Sequence, residues 1–158
     1  MLFPYSIIIW VTLSVFESKY SPTWRNSRKT VKKINLETAE EVWQSYPQII
    51  SVWLFGSAQD GELSKGSDLD FALLFEAQPP LDELASIRAD LQENLQVDDI
   101  DLTYLNKAGP VLAFQAVSGR LVFCRDLDKK VDFVSLTARE YEEAMAFMEW
   151  GIKTRRQI

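Results

Sequence analysis

Histidine is absent from this 158-residue chain, which contains one cysteine, Cys124. The lack of histidine excludes His-dependent catalytic triads, histidine metal sites and an imidazole base. One thiol can form neither a disulfide framework within the chain nor a cysteine-based zinc site, so we expect a reducing, cytoplasmic compartment. Because Cys124 follows the apolar residues Leu121–Phe123, we predict that its side chain is small, hydrophobic and buried.

The chain also lacks an uninterrupted apolar run long enough to span a bilayer. Residues 1–16 are strongly apolar, but a proline and several hydroxyl residues interrupt them. A membrane helix needs about 20 apolar residues, and no basic residue precedes this segment as in a signal peptide. We therefore expect no stable membrane association, while the alternative is an interfacial anchor, since Lys and Arg follow the apolar segment.

Positive charge is scarce. The chain has 17 Lys and Arg against 23 Asp and Glu, a formal net charge of −6, which excludes the electrostatic attraction of a nucleic-acid-binding protein, so we expect no DNA partner. Between Ser57 and Leu105 there are twelve acidic residues against Lys65 and Arg88. A nucleoside triphosphate would be repelled from this segment unless a divalent metal ion accompanied it.

Candidate functional residues are concentrated in the stretch from Gly56 to Asp70. The preceding residues, Ile49–Phe55, are β-branched, aromatic and apolar on both faces, which predicts a strand inside a sheet. Gly56 and Ser57 end that strand. Glycine permits a sharp turn and the close approach of another group, so the backbone amides and the Ser57 hydroxyl can face a phosphate. This turn would form half of a nucleotide site.

An acidic pair begins the next predicted strand, Asp68–Phe75. Because side chains alternate along a strand, Asp68 and Asp70 share one face, roughly 7 Å apart. Two such carboxylates repel each other unless a cation lies between them. Hard oxygen ligands close to phosphates suit Mg²⁺, and a pair of such ions suits phosphoryl or nucleotidyl transfer.

A third strand, predicted from Val97 to Leu105, supplies further acids. Alternation places Asp99, Asp101 and Thr103 on one face of this strand. The pattern therefore offers a third carboxylate beside Asp70, but it does not choose between Asp99 and Asp101.

The remaining segments alternate helices with strands, which predicts an α/β sheet. A capping box at Thr38–Glu41 begins a helix that Pro47 ends, and a second helix follows Pro79 and Pro80. Arg88 is predicted on the solvated face of that second helix. The residues expected to face the core from these two helices are Ala39, Val42, Trp43, Tyr46, Leu84, Ile87, Leu91 and Leu95.

Two further helices and a strand complete the pattern. Pro110 begins a helix that Gly119 stops, with Val111, Phe114 and Val117 inward, and Leu121–Cys124 is a short fourth strand. The chain is predicted to be helical from Lys129 onward, with an apolar stripe. Phe147 and Trp150 lie off that stripe, so this last helix either offers a partner surface or simply covers the sheet.

These motifs resemble a known signature. Phe55-Gly56-Ser57, ten residues, then Asp68-Leu69-Asp70 is similar to the signature of the DNA polymerase β nucleotidyltransferase superfamily, and in particular to its small, single-domain MNT branch. The resemblance covers about residues 36–158 and implies the nucleotidyltransferase fold, a small mixed sheet with helices packed mainly on one face. It also aligns Ile100–Ala108 with the third-strand segment of the family, whose acidic residue falls on Asp101.

The resemblance implies a function as well. MNT proteins of this size are often antitoxins of HEPN/MNT toxin–antitoxin pairs, which bind a HEPN ribonuclease toxin and transfer AMP from ATP to a toxin tyrosine. Asp68, Asp70 and Asp101 would then be the catalytic residues and the ligands of two Mg²⁺ ions, with Gly56 and Ser57 binding the phosphates. The alternatives are a non-catalytic binding antitoxin, and a nucleotidyltransferase acting on a small molecule or RNA.

One residue departs from the family pattern. Many relatives carry a basic residue in the loop after Gly-Ser, where this chain has Asp60. An acid there weakens the phosphate site unless Lys65 replaces the missing charge, which favours either low activity without a partner or inhibition by binding alone.

The same resemblance suggests the domain organisation. Residues 1–33 lie outside it, as an apolar and basic extension or exposed linker, and residues 34–158 form the nucleotidyltransferase domain. Because domains of this kind commonly begin near Val31, one hypothesis is that the natural start of the protein lies there.

Overall fold

The computed structural model describes residues 31–64 and 66–155. The predictions for residues 1–30 and for Lys65 lie outside the described residues. The strands are β1 (Val31–Lys33), β2 (Ile49–Phe55), β3 (Glu62–Ser64), β4 (Leu69–Phe75), β5 (Ile100–Tyr104) and β6 (Arg120–Cys124). The helices are α1 (Thr38–Ser45), α2 (Leu81–Leu95), α3 (Pro110–Val117) and α4 (Leu127–Arg155). Among the described helices, none combines the length and apolar character that crossing a membrane requires.

The main sheet is mixed, as predicted. Its four strands lie in the order β5, β4, β2, β6, and β4 pairs with β5 in parallel while the other pairs are antiparallel. A second, two-stranded sheet pairs β1 with β3. Val31–Lys33, expected at the end of an exposed linker, therefore forms a strand that pairs with β3. The domain boundary between residues 33 and 34 remains a prediction.

Helices cover both faces of the main sheet, which corrects the expectation that they pack mainly on one. Phe71 of β4 packs against Trp43 of α1 and Ile87 of α2 on one face. Leu74 of the same strand packs against Ala116 of α3 on the other face, where partly buried residues of α4 also contribute. The reason lies in β2 and β4, which carry apolar side chains at both odd and even positions, so each face needs a cover.

Two local predictions were wrong, and a third was wrong in part. Thr38 is the first residue of α1 and its hydroxyl donates to the carbonyl oxygen of Asn35 at 2.8 Å, so no capping box forms. In α3 the most buried residues are Ala113 and Ala116 and not the predicted Val111 and Phe114, although Val117 packs against the core as predicted. Cys124 is exposed, since Phe123 takes the inward position in the edge strand β6.

A side-chain pair joins α1 to α2. The Tyr46 hydroxyl donates to a carboxylate oxygen of Asp90 at 2.6 Å. Burial, followed by the hydrogen bond to Asp90, raises the pKa of Tyr46 to about 12. The bond fixes how the two helices that cover one face of the sheet lie against each other.

Asn106, in the short 3-10 turn after β5, ties the end of β4 in place. Its side-chain oxygen accepts the backbone N–H of Phe75 at 3.0 Å, and its side-chain nitrogen donates to the carbonyl oxygen of Phe75 at 2.7 Å. The amide thus pairs with β4 as a further strand residue would, and it leaves neither backbone group of Phe75 unsatisfied.

We expect Asn106→Ala to lower the free energy of unfolding by about 1–3 kcal/mol, because it leaves both backbone groups of Phe75 without their partner. Urea unfolding followed by circular dichroism measures the change. The matched control is Asn94→Ala, which removes only a bond to Asp90 within the exposed face of α2. Equal midpoints for the two variants would contradict the role given to Asn106.

Candidate active site

Three carboxylates converge at one end of the central strands. Asp70 lies in β4 and Asp101 in β5, and the parallel register sets these two residues directly opposite each other. Asp68 lies just before β4, not within the strand as predicted. One oxygen atom from each of the three carboxylates lies within 4.8 Å of those of the other two.

The register also agrees with the residue that the family resemblance implied on the third strand, where alternation alone left Asp99 and Asp101 open. Asp101 faces the acidic pair, whereas Asp99 precedes β5 and its backbone carbonyl accepts the N–H of Leu69 at 3.0 Å. Asp99 therefore contributes to the start of the parallel pairing, and Asp101 contributes a side chain to the cluster.

Burial and repulsion act together on the central acid. Partial burial, and then the negative charges of Asp68 and Asp101, raise the pKa of Asp70 above its ordinary value. A cation between the carboxylates would remove this repulsion. The ligand set consists of oxygen atoms alone, without nitrogen or sulfur, and it therefore fits a hard divalent cation such as Mg²⁺ or Mn²⁺.

The glycine–serine turn lies against this cluster. Gly56–Ala58 forms a short 3-10 turn after β2, and Phe55 pairs with Asp70 across the sheet. Gly56 has a φ of +76°, and a Cβ atom placed on it would lie 2.4 Å from a carboxylate oxygen of Asp70. Only glycine allows this turn so close to the carboxylate. Ser57, the next residue, is exposed beside it.

The loop beyond the turn carries an acid in place of a cation. A carboxylate oxygen of Asp60 accepts the backbone N–H of Glu62 at 3.0 Å, and the N–H of Gly61 donates to the carbonyl of Ala58 at 2.9 Å. Asp60 therefore shapes its own turn and adds negative charge to the neighbourhood of Ser57.

A cleft of about 390 Å³ adjoins the carboxylates on the side of α2. Arg88, predicted on a solvated face, lies in its wall, and a guanidinium nitrogen is 3.7 Å from a carboxylate oxygen of Asp101. Sequence reasoning missed this position, although Arg88 and Gln92 are spaced by one helical turn on the helix that leads into β5. The cleft is lined by Asp68, Arg88, Gln92, Asp98, Asp99, Ile100 and Asp101.

Comparison with known proteins supports the resemblance seen in the sequence. The family described as "Polymerase beta, Nucleotidyltransferase" matches residues 37–128. A sequence comparison with curated proteins finds no match.

Solved structures share the fold. A mutant form of the toxin–antitoxin complex MntA–HpeT matches with a TM-score of 0.65 and 22% identity, over 77% of this chain and 98% of that chain. A toxin–antitoxin complex with AMP-PNP matches with a TM-score of 0.64 and 23% identity, over 77% and 98%. A structure of a tri-AMPylated HEPN toxin from Shewanella oneidensis in complex with an MNT antitoxin matches with a TM-score of 0.57 and 21% identity. The match covers 76% of this chain and 97% of that chain.

We expect Gly56→Ala to weaken divalent cation binding by at least about tenfold, because the new methyl group displaces the Asp70 carboxylate. Titration calorimetry with Mn²⁺ measures the affinity. The matched control is Gly66→Ala, which has a similar φ of +79° but open space around the added methyl group. Both variants carry a backbone strain of about 1–2 kcal/mol, so equal loss of cation binding in both would contradict the steric explanation.

We expect Asp70→Asn to stabilise the metal-free protein at pH 7 by roughly 0.5–2 kcal/mol, the usual size of a gain from improved charge placement. Because the pKa of Asp70 is raised in the folded state, its ionised form opposes folding at pH values above the folded-state pKa. This destabilisation disappears as the pH falls below the unfolded-state pKa. The gain should therefore shrink on acidification.

Urea unfolding with EDTA present, from pH 7 to pH 4, tests this pH dependence. Asp132→Asn, at an exposed position in α4, is the control for loss of a charge alone. A gain from Asp70→Asn that does not depend on pH would be inconsistent with the repulsion.

Proposed function

Because this chain belongs to the polymerase beta nucleotidyltransferase family, we propose that it is an antitoxin that transfers AMP from ATP to a tyrosine of a HEPN ribonuclease toxin. The observation that carries the proposal is the cluster of Asp68, Asp70 and Asp101, with oxygen atoms within 4.8 Å of one another, beside the Gly56–Ser57 turn. The structures of similar fold add support, because they include an AMPylated HEPN toxin with an MNT antitoxin and a complex with AMP-PNP.

The residues of the site would have the following roles. Asp68 and Asp70 would hold two Mg²⁺ ions, and Asp101 would complete the shell of the second ion. When bound, the ions neutralise phosphate charge and lower the pKa of the attacking hydroxyl. The backbone amides of the turn and the Ser57 hydroxyl would bind the β- and γ-phosphates.

The proposed proton acceptor is Asp101. It borders both the carboxylate cluster and the cleft, so an acceptor hydroxyl in the cleft would lie within its reach. The hydroxyl oxygen forms a bond to the α-phosphorus, the bond between the α-phosphorus and its bridging oxygen breaks, and pyrophosphate leaves with that oxygen. The hydroxyl proton passes to Asp101, and the product is an AMP ester.

The distal part of α4 is suited to bind the toxin. Phe147 is 72% exposed and Trp150 is 64% exposed, and Met148 and Ile152 are also exposed. An apolar surface on one helix is the kind that packs against helices of a partner. A helical toxin bound there would be held by the same chain that carries the transfer site.

A second function, inhibition by binding alone, is favoured by one observation. Asp60 lies in the loop where a triphosphate would need positive charge, and it opposes nucleotide binding. An antitoxin of this kind would neutralise its toxin through contact at α4 without transferring AMP.

A mass-spectrometric assay separates the two functions. We expect incubation of the full chain with Mg-ATP and its cognate toxin to add AMP-sized mass to the toxin, and Asp68→Asn to reduce the rate by at least about a thousandfold, since a cation ligand is lost. Asp82→Asn, at an exposed position in α2, is the control.

Toxin neutralisation in cells completes the test. No added mass with the wild-type chain, together with full neutralisation by Asp70→Asn, would refute the transferase and support the binding antitoxin. Added mass that persists in Asp68→Asn would refute the role of the carboxylate cluster.

A further inference from the structure

Helix α2 contacts the segment that carries Asp101 through two side chains. Arg88 and Gln92 are four residues apart, so both project from the same side of the helix. The Gln92 amide donates to the backbone carbonyl of Asp98, which holds the chain just before β5. The Arg88 guanidinium lies 3.7 Å from the Asp101 carboxylate. One side of α2 therefore fixes both the backbone that enters β5 and the first acidic side chain of that strand.

The ion pair between Arg88 and Asp101 is of interest for its location and not for its contribution to stability. The Arg88 and Asp101 side chains are 47% and 64% exposed, and an exposed ion pair contributes little to stability. Asp101, however, belongs to the three-carboxylate cluster. Within residues 31–64 and 66–155, Arg88 is the basic side chain that forms an ion pair with a member of that cluster.

The Asp101 carboxylate therefore has two possible cationic partners, the Arg88 guanidinium and a divalent cation bound at the cluster. The Arg88 guanidinium lies 3.7 Å from the Asp101 carboxylate, and both residues line the cleft. A divalent cation at the cluster would bind the same carboxylate and be repelled by the guanidinium. In a solvent-exposed site, a unit charge a few ångström away changes the affinity for such a cation about three- to tenfold.

We propose that Arg88 is a positioning residue for Asp101. It orients the Asp101 carboxylate toward the acceptor cleft, and its charge weakens the binding of divalent cations to the cluster. The proposal rests on the proposed function for its catalytic consequence, while its effect on cation affinity is independent of any transfer reaction. Arg88 itself contacts neither nucleotide nor acceptor in this role.

Cation affinity gives the first test, with electron paramagnetic resonance of free Mn²⁺ as the readout on the full chain without nucleotide. We expect Arg88→Gln to bind Mn²⁺ about three- to tenfold more tightly than the wild type, since the repelling charge is gone. Arg88→Lys keeps the charge and should bind Mn²⁺ like the wild type. Arg139→Gln, an exposed position in α4 outside the cleft lining, controls for the change in net charge.

The transfer reaction gives the second test. We expect Arg88→Gln to lower kcat for AMP transfer about tenfold, with KM for ATP unchanged, because the carboxylate that accepts the proton is no longer oriented. A surface ion pair without function would change neither constant.

The outcomes are distinguishable. If the wild type binds Mn²⁺ and Arg88→Gln matches Arg139→Gln in affinity, the positioning role is overturned while the proposed function stands. If the wild type binds no Mn²⁺ without nucleotide, the effect of Arg88 on cation affinity is overturned, while the mass-spectrometric assay of AMP transfer still decides the proposed function. Tighter Mn²⁺ binding in Arg88→Gln alone supports the proposal.

Discussion

The repulsion among three carboxylates held at one end of two parallel strands is the constraint on which the site depends. Asp70 and Asp101 are opposite each other because β4 and β5 pair in register, and Asp68 joins them from the end of the preceding loop. Partial burial, and then the negative charges of Asp68 and Asp101, raise the pKa of Asp70. The fold therefore maintains an electrostatic cost that a bound cation would remove, as in many sites whose function opposes stability.

Parallel pairing has a second consequence. Two parallel strands need a crossover connection, and here α2 supplies it between β4 and β5. Its apolar side, with Ile87 and Leu91, covers one face of the sheet. Arg88 lies next to Ile87 in the sequence and projects toward the edge of the sheet, where Asp101 is located. The helix that makes the parallel register possible thus also places a cation beside the carboxylates.

Helix α4 divides into two parts with different surroundings. Near its start, Phe133 and Val134 pack on the sheet, and Tyr141 stacks on Phe114 of α3 with ring centroids 4.1 Å apart. Farther along, the large apolar side chains are exposed, with Phe147 at 72%. The first part completes the core, and the second carries exposed apolar side chains.

The sequence by itself determined the local elements and the chemistry they carry. Strand β2 has the predicted bounds Ile49–Phe55, because an apolar run limited by Pro47 and Gly56 has few other conformations. The predicted family is confirmed by the match over residues 37–128, since the glycine–serine turn and the acidic pair are short, local signals. The roles given to Gly56, Ser57, Asp68, Asp70 and Asp101 remain predictions.

Only the tertiary structure decided what depends on contacts between distant segments. The register of β5 on β4 set Asp101 directly opposite Asp70, and the crossing of α2 placed Arg88 beside Asp101. Cys124 became exposed because β6 lies at the sheet edge with Phe123 inward. The periodicity of a helix or strand indicates which side chains share a face. It does not indicate what that face packs against, because contacts between distant segments determine this.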